Sequence, residues 1–370
     1  MNRDALTRWH RRLGARDAGW GARLADVLLA PVAGLYRLGV AARNRAYDRE
    51  WLPVRHAGVW TLGIGGLSAG GSGKTPLAAL LATWLAEWGY HPLLVARGYA
   101  APEGGGAPVL VTTGEEAPRV GWRRVGEEAI LLARLARGVP VAVARRREEA
   151  LSAARAAGLA PDCLVLDGSF QHRRLRADLS LVSLDAARAP GEERLLPRGM
   201  LREPWSSLRR ADLVVLHRAE RCSDPGAWER FLDQVAPGLP RAWCANRWEL
   251  PRELRTGRSS AWDTLRQGRY AVWTALARPE SFLEELADRR ILVQARVLAA
   301  DHAAFGPREA ERLAARVAHE RLVGVLTTEK DAVKLERFAA TLPPTYVIPA
   351  RLEWTRGEEV VAAAMRRALP

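Results

Sequence analysis

Cysteine is scarce in this chain. Its 370 residues hold three, Cys163, Cys222 and Cys244, far apart and with no C-x-x-C pair. That excludes a disulfide framework and a zinc knuckle and suits a reducing compartment. Long apolar runs are also missing: no stretch offers the roughly 20 uninterrupted apolar residues of an orthodox membrane span. There is no repeat of fixed period and no recognisable nucleic-acid module. Lysine is rare as well, so nearly all the positive charge is arginine. The 56 Lys+Arg against 42 Asp+Glu leave +14, a surplus that favours nucleic acid, a membrane surface or a phosphorylated substrate. Arginine and alanine richness also follows from a GC-rich genome, so charge alone selects none of these.

What is present is an ordinary globular balance, 48% hydrophobic and 26% charged, at a length that predicts about two domains. Residues 1–23 are polar and basic. The apolar run Leu24–Ala42 follows, interrupted by Pro31 and Arg37 and closed by Arg43-Asn44-Arg45. No small-residue cleavage site follows it, so a secretory signal is not expected. It reads as a helix lying in or dipping into a membrane surface, its arginines suited to anionic headgroups; a helix packed on the domain is the alternative.

From residue 58 strands and helices alternate. Strands are expected at Val59–Ile64, Pro92–Ala96, Pro140–Ala144, Cys163–Leu166, Leu179–Leu184 and Leu213–Leu216, with helices at Pro76–Trp88, Glu127–Arg137 and Arg146–Ala157. The pattern predicts an α/β fold: a P-loop NTPase-like, mostly parallel sheet with helices on both faces. Strands at Tyr270–Ala275, Ile291–Leu298, Leu322–Thr327 and Thr345–Ile348, with a helix at Pro307–Ala318, predict a smaller C-terminal α/β domain. The expected division is an N-terminal segment at 1–57, a P-loop core at 58–225 and the smaller domain at 226–370.

Between the first strand and its helix lies Gly70-Gly71-Ser72-Gly73-Lys74-Thr75-Pro76. Such a loop turns backbone N–H groups toward a polyphosphate, and its glycines let the backbone approach closely. Lys74 would neutralise β- and γ-phosphate charge, and the Thr75 hydroxyl would bind Mg²⁺ of an ATP complex. The strict motif asks for glycine where Ser68 stands, but the neighbouring glycines supply the same freedom. Asp167 closes the apolar run Cys163–Leu166, the place for a metal-holding carboxylate.

Nine motifs in order carry a resemblance. They are Ile64-Gly65-Gly66-Leu67-Ser68 leading into the loop, Arg97-Gly98-Tyr99, Val125-Gly126-Glu127-Glu128, Phe170-Gln171-His172-Arg173-Arg174-Leu175, Arg194-Leu195-Leu196-Pro197, Leu201-Arg202-Glu203-Pro204, Ala277-Arg278-Pro279-Glu280, Asp301-His302, and Thr328-Glu329-Lys330-Asp331-Ala332-Val333-Lys334. Together they resemble the tetraacyldisaccharide 4'-kinases, which phosphorylate the 4'-hydroxyl of the lipid A disaccharide precursor with ATP. The resemblance runs from the N-terminal apolar helix to about residue 335.

The resemblance implies that Glu127 pairs with His302 in a catalytic dyad, able to accept the sugar hydroxyl's proton. Glu128 opens the same helix and can face the metal. Arg202 is expected as a phosphate clamp and Glu203 as a metal or substrate ligand. Arg147 matches a family arginine and is a second clamp candidate. Gln171, four residues past Asp167, is a substrate-site candidate, though the run Gln171–Arg174 also reads as a solvated basic turn. The implied setting is the cytoplasmic face of the bacterial inner membrane, with no nucleic-acid partner.

Four positions depart from the family pattern. Gly168 follows Asp167 where a second aspartate is usual. Glu127 replaces an aspartate one methylene shorter, Gly66 stands for asparagine, and Ala303 for a second histidine. The missing carboxylate motivates an alternative: a catalytically weak, membrane-associated P-loop nucleotide-binding protein.

Overall fold

A computed structural model describes residues 20–370 apart from 99–100, 102, 104–105, 117, 119 and 301–302. Fourteen strands are present in chain order: β1 Trp60–Gly65, β2 Pro92–Ala96, β3 Val109–Thr112, β4 Val141–Val143, β5 Cys163–Asp167, β6 Leu179–Asp185, β7 Leu213–His217, β8 Arg241–Trp248, β9 Arg252–Glu253, β10 Arg269–Thr274, β11 Leu292–Leu298, β12 Gly324–Thr328, β13 Thr345–Ile348 and β14 Ala350–Arg356. The principal helices are α1 Trp20–Asp48, α2 Lys74–Glu87, α3 Glu127–Leu135, α4 Glu148–Ala156, α5 Pro225–Val235, α6 Glu280–Asp288, α7 Pro307–His319, α8 Glu329–Leu335 and α9 Glu358–Ala368.

The larger sheet runs β14-β8-β7-β6-β1-β5-β2-β4-β3, parallel except for its two edge strands. Strands β1, β2 and β5 are buried along their whole length, as central parallel strands covered on both faces must be. The alanine/leucine helix α2 buries Leu77, Leu81 and Leu85 against this sheet. The smaller sheet runs β11-β10-β12-β13-β9, parallel except for β9.

The larger sheet takes in more of the C-terminus than the composition suggests. Strand β8 lies beyond residue 226, and the chain returns after β13 to add β14 beside β8. Helix α9 follows and buries Val361 and Met365 in the first core. The expected boundary at 226 is therefore corrected: the second sheet occupies residues 252–348, inserted between two strands of the first. Trp248, Trp354 and the arginines around them hid β8 and β14, because a half-exposed edge pair carries no long apolar run.

Helix α1 passes through Pro31 without breaking; proline there removes one N–H donor but does not end the helix. Its apolar side chains Leu24, Val27, Leu28, Val32, Leu35 and Leu38 are 49–69% exposed. They recur at intervals of three and four residues, one face of a helix. Among the described residues no helix is long and apolar enough to cross a membrane.

Candidate active site

Strand β1 sits between β5 and β6, with Ile64 level with Asp167 and Gly65 level with Val182. The loop after β1 therefore emerges between the C-terminal ends of two strands, where open α/β sheets bind ligands. Gly70, Gly71 and Gly73 all take left-handed backbone conformations (φ 81°, 65° and 71°), which side-chain-bearing residues adopt at a cost. Gly73 also abuts His217 at the end of β7: a Cβ there would lie 2.6 Å from the imidazole. The loop's bend is thus set by glycines and by what packs beneath them.

Side chains fix the loop from below. Lys74 Nζ donates to Ser72 Oγ at 2.8 Å, and Ser183 of β6 donates to the Ser72 carbonyl. Desolvation pulls the Lys74 pKa below its ordinary value, with the charge of Asp167 opposing. The Thr75 hydroxyl donates to Asp167 Oδ2 at 2.8 Å. Asp167 is 7% exposed, and its pKa is pushed up to about 6, first by burial and then by the negative charge of Glu128. Two carboxylates and a hydroxyl thus crowd one side of a phosphate-type loop, an arrangement that a cation relieves.

Glu127 and Glu128 open α3 behind Gly126, whose φ is 87°. Glu127 is 4% exposed and ion-paired to Lys334 and, at 3.3 Å, to Lys330, both on α8 of the second sheet. Ahead of the loop, Ser68 bridges to Leu201, and the Arg202 N–H donates to the Leu67 carbonyl at 2.7 Å. The Arg202 side chain is exposed, and its charge acts on Lys74. Gln171 donates to the Gly66 carbonyl at 3.0 Å, bracing the entry to the loop.

The sequence profile of the tetraacyldisaccharide-1-P 4'-kinase family matches residues 25–369. The chain belongs to that family. A tetraacyldisaccharide 4'-kinase of Anaeromyxobacter sp. strain Fw109-5 is 38% identical over 365 residues, 95% of each chain. Its counterpart in Halorhodospira halophila is 36% identical over 335 residues, 90% of each. The crystal structure of LpxK from Aquifex aeolicus in complex with ATP matches at TM-score 0.68 and 27% identity, covering 94% of this chain and all of that one. The family fold is thus the P-loop α/β architecture expected from the alternating strands.

In this family member the expected residues divide. Ser68, Gly70, Gly71, Ser72, Gly73, Lys74, Thr75, Asp167, Glu128, Glu127, Arg202 and Gln171 all lie in or around the loop. His302 lies outside the described residues. Arg147 is 2% exposed, and its Nη2 donates to the carbonyls of Asp167 (2.7 Å) and Gly168 (2.9 Å). The guanidinium thus supports the Asp167 turn, while its Nη1 has no hydrogen-bond partner among the described residues. Glu203 is 1% exposed; its Oε2 pairs with Arg210 and accepts from Asn44 Nδ2 at 3.2 Å, joining α1 to the 201–204 loop, while its Oε1 has no hydrogen-bond partner among the described residues.

Asp185 and Arg218 belong to none of the nine motifs. Asp185 ends β6 as Asp167 ends β5, and it holds two arginines, Arg218 and Arg278. The Arg278 stem covers Gly71, where a Cβ would meet its Cδ at 3.4 Å. The Ala277-Arg278-Pro279-Glu280 motif pointed at this position without showing what it touches.

Proposed function

We propose that the chain transfers the γ-phosphoryl group of ATP to the 4'-hydroxyl of a tetraacylated lipid A disaccharide precursor, working at the cytoplasmic face of the inner membrane. The observation that carries the reading is the Thr75–Asp167 hydrogen bond beneath three left-handed loop glycines. It places a hydroxyl and a carboxylate beside a cradle of backbone N–H groups and the Lys74 ammonium.

Thr75, Asp167 and Glu128 are the residues that would hold Mg²⁺. Among the described residues no three His, Cys, Asp or Glu side chains are grouped to hold a metal alone. Mg²⁺ binds through one or two carboxylates plus phosphate oxygens and water, and the Thr75 hydroxyl with the Asp167 and Glu128 carboxylates offers such a set. When bound, the ion neutralises phosphate charge during transfer. The chain's own groups orient the reaction. Lys74 and the loop hold the phosphates, Arg202 adds a cation at the exposed side, and Glu127 with His302 accepts the proton of the attacking hydroxyl.

Helix α1 supports the membrane setting. Its exposed apolar stripe is followed by Arg43 and Arg45, a pattern suited to lying along an anionic lipid surface. The same helix reaches the site: the Tyr36 hydroxyl donates to the Arg202 carbonyl at 2.9 Å, and Arg43 to the Gln171 carbonyl at 2.6 Å. A lipid-bound helix thus lies beside the phosphate-transfer corner. The test is ADP release with and without a tetraacyldisaccharide 1-phosphate acceptor in detergent micelles. Acceptor-dependent release supports the reading; release that ignores the acceptor contradicts it.

A further inference from the structure

Three of the 56 Lys+Arg residues in this chain are lysines: Lys74, Lys330 and Lys334. One is the phosphate-loop lysine. The other two both touch Glu127, with Lys330 Nζ 3.3 Å from Oε1 and Lys334 paired to Oε2. In a chain that uses arginine almost everywhere else, lysine remains where a compact ammonium meets this site. Arginine is a wide planar fork, whereas lysine is a point charge on a thin stem. Two point charges on thin stems approach the two oxygens of the buried Glu127 carboxylate, whereas the paired guanidinium forks on Asp185 are broader groups that need more room.

Local structure alone disfavours this placement. Lys330 and Lys334 stand four apart on the seven-residue helix α8, so their like charges face each other. Lys330 also lies in the first turn, where the helix dipole repels a cation. The Lys334 side chain is fully buried, and a buried ammonium is stable only when paired. What offsets these costs is Glu127, which comes from the other sheet. A locally unfavourable arrangement kept at such a corner is the mark of a functional device.

The surroundings hold α8 in position. The Asp331 carboxylate, fully buried, accepts from Thr274 (2.7 Å) and from the helix cap Thr328 (2.9 Å). Further along, Arg134 of α3 grips Glu336 through both terminal nitrogens at 2.5 and 2.7 Å. Helices α3 and α8 are therefore fastened at both ends, and the seating of the second sheet sets where the Glu127 carboxylate points. The charge of Lys330 also acts on Lys74 of the phosphate loop.

We infer that Lys330 and Lys334 are positioning residues of the phosphoryl-transfer reaction, a two-lysine clamp through which the second sheet fixes the Glu127 carboxylate. The inference rests on the reading of Glu127 as a proton acceptor. It extends that reading to the second sheet, whose Arg278 also covers Gly71 of the phosphate loop. A side effect is that the extra methylene of Glu127, relative to the aspartate usual in the family, carries its carboxylate further toward α8.

The test is a double-mutant cycle on the full chain, with K334M, K330M, E127Q and the two combinations with E127Q. Turnover, KM for ATP and thermal midpoint are read for each. The clamp predicts that K334M and K330M each lower kcat about tenfold or more while KM for ATP stays within about twofold. In the E127Q background the same substitutions should lower kcat by less than about twofold further, because the residue they act through is gone. Equal losses in both backgrounds, or a lower thermal midpoint with unchanged kcat, would overturn the clamp and leave a purely structural ion pair. If K334M does not fold, K330M decides alone, since Lys330 is partly exposed. If E127Q retains full kcat, the proton-acceptor reading and the clamp both fail. If E127Q is impaired while both lysine variants turn over normally, only the clamp fails.

Discussion

The Thr75 hydroxyl donates a 2.8 Å hydrogen bond to Asp167 Oδ2, joining the first turn of α2 to the end of β5. Removing either partner should lower kcat about a hundredfold or more, the scale of a lost electrostatic contact in transfer chemistry. T75A and D167N, assayed across a Mg²⁺ titration, check this. Wild-type turnover in either variant would remove the corner from the mechanism.

Asp167 also predicts a pH dependence of stability. Its folded pKa, about 6, lies above the ordinary 3.8 because burial and Glu128 disfavour the ionised form. The folded state therefore binds the extra proton, and stability falls as pH rises from about 4 through 6. Above that window the buried charge costs on the order of 3 kcal/mol. In metal-free buffer D167N should melt higher than wild type at pH 8 and equally at pH 4. A midpoint difference that is the same at both pH values would contradict the account.

Gly168 stands where the family resemblance implies a second aspartate, and its φ is 68°. A Cβ there would meet only Arg147 Nη2, at 3.9 Å, so space is available and the backbone sets the limit. Aspartate is among the few residues that tolerate this conformation, at about 1 kcal/mol. G168D should fold and reach half-maximal rate at a Mg²⁺ concentration about threefold lower or more. G168V, β-branched in the same conformation, should lose several degrees of thermal midpoint without that gain.

Arg147 donates to two buried carbonyls, and R147M would leave both without their partner. The expected loss is about 2–4 kcal/mol of stability, read as a clear drop in thermal midpoint. ATP affinity of the folded fraction should change less than about threefold. A large affinity loss at unchanged stability would make Arg147 a phosphate clamp and not a support for the turn.

Helix α1 is tied to the body by Asp26 with Arg194 and Arg198, and by Arg173 with Asp48. Deleting it would also disturb Gln171 and Glu203, so point changes on its exposed stripe are the cleaner probe. The double substitution L28E/L35E should abolish co-sedimentation with anionic phospholipid vesicles and leave ATP affinity and thermal midpoint unchanged. Retained vesicle binding would contradict the membrane reading of this face.

Much of this site could be read from residue order. The strand-loop-helix around Lys74 and the acid closing Cys163–Leu166 follow from local pattern, and both met where expected. Asp185 carries the same strand-ending signature as Asp167, yet its importance depends on β6 being the other neighbour of β1, which strand order alone reveals. Arg147 enters as a candidate through the family match and Glu203 through its Pro-bounded motif. That one is buried beneath the Asp167 turn and the other beside Arg210 follows from packing, which no local spacing shows. Lys330 and Lys334 lie in a motif whose partner, Glu127, is about 200 residues away, so no local spacing could pair them.

The central claim is phosphoryl transfer to one hydroxyl, and the direct measurement is product analysis. Full-length protein is incubated with γ-³²P-labelled ATP, Mg²⁺ and tetraacyldisaccharide 1-phosphate, with K74A as the control, and the lipid is analysed by mass and by phosphate position. The account predicts one added labelled phosphate at the 4' position, absent with K74A. Label released only as inorganic phosphate, or found at another hydroxyl, would contradict it.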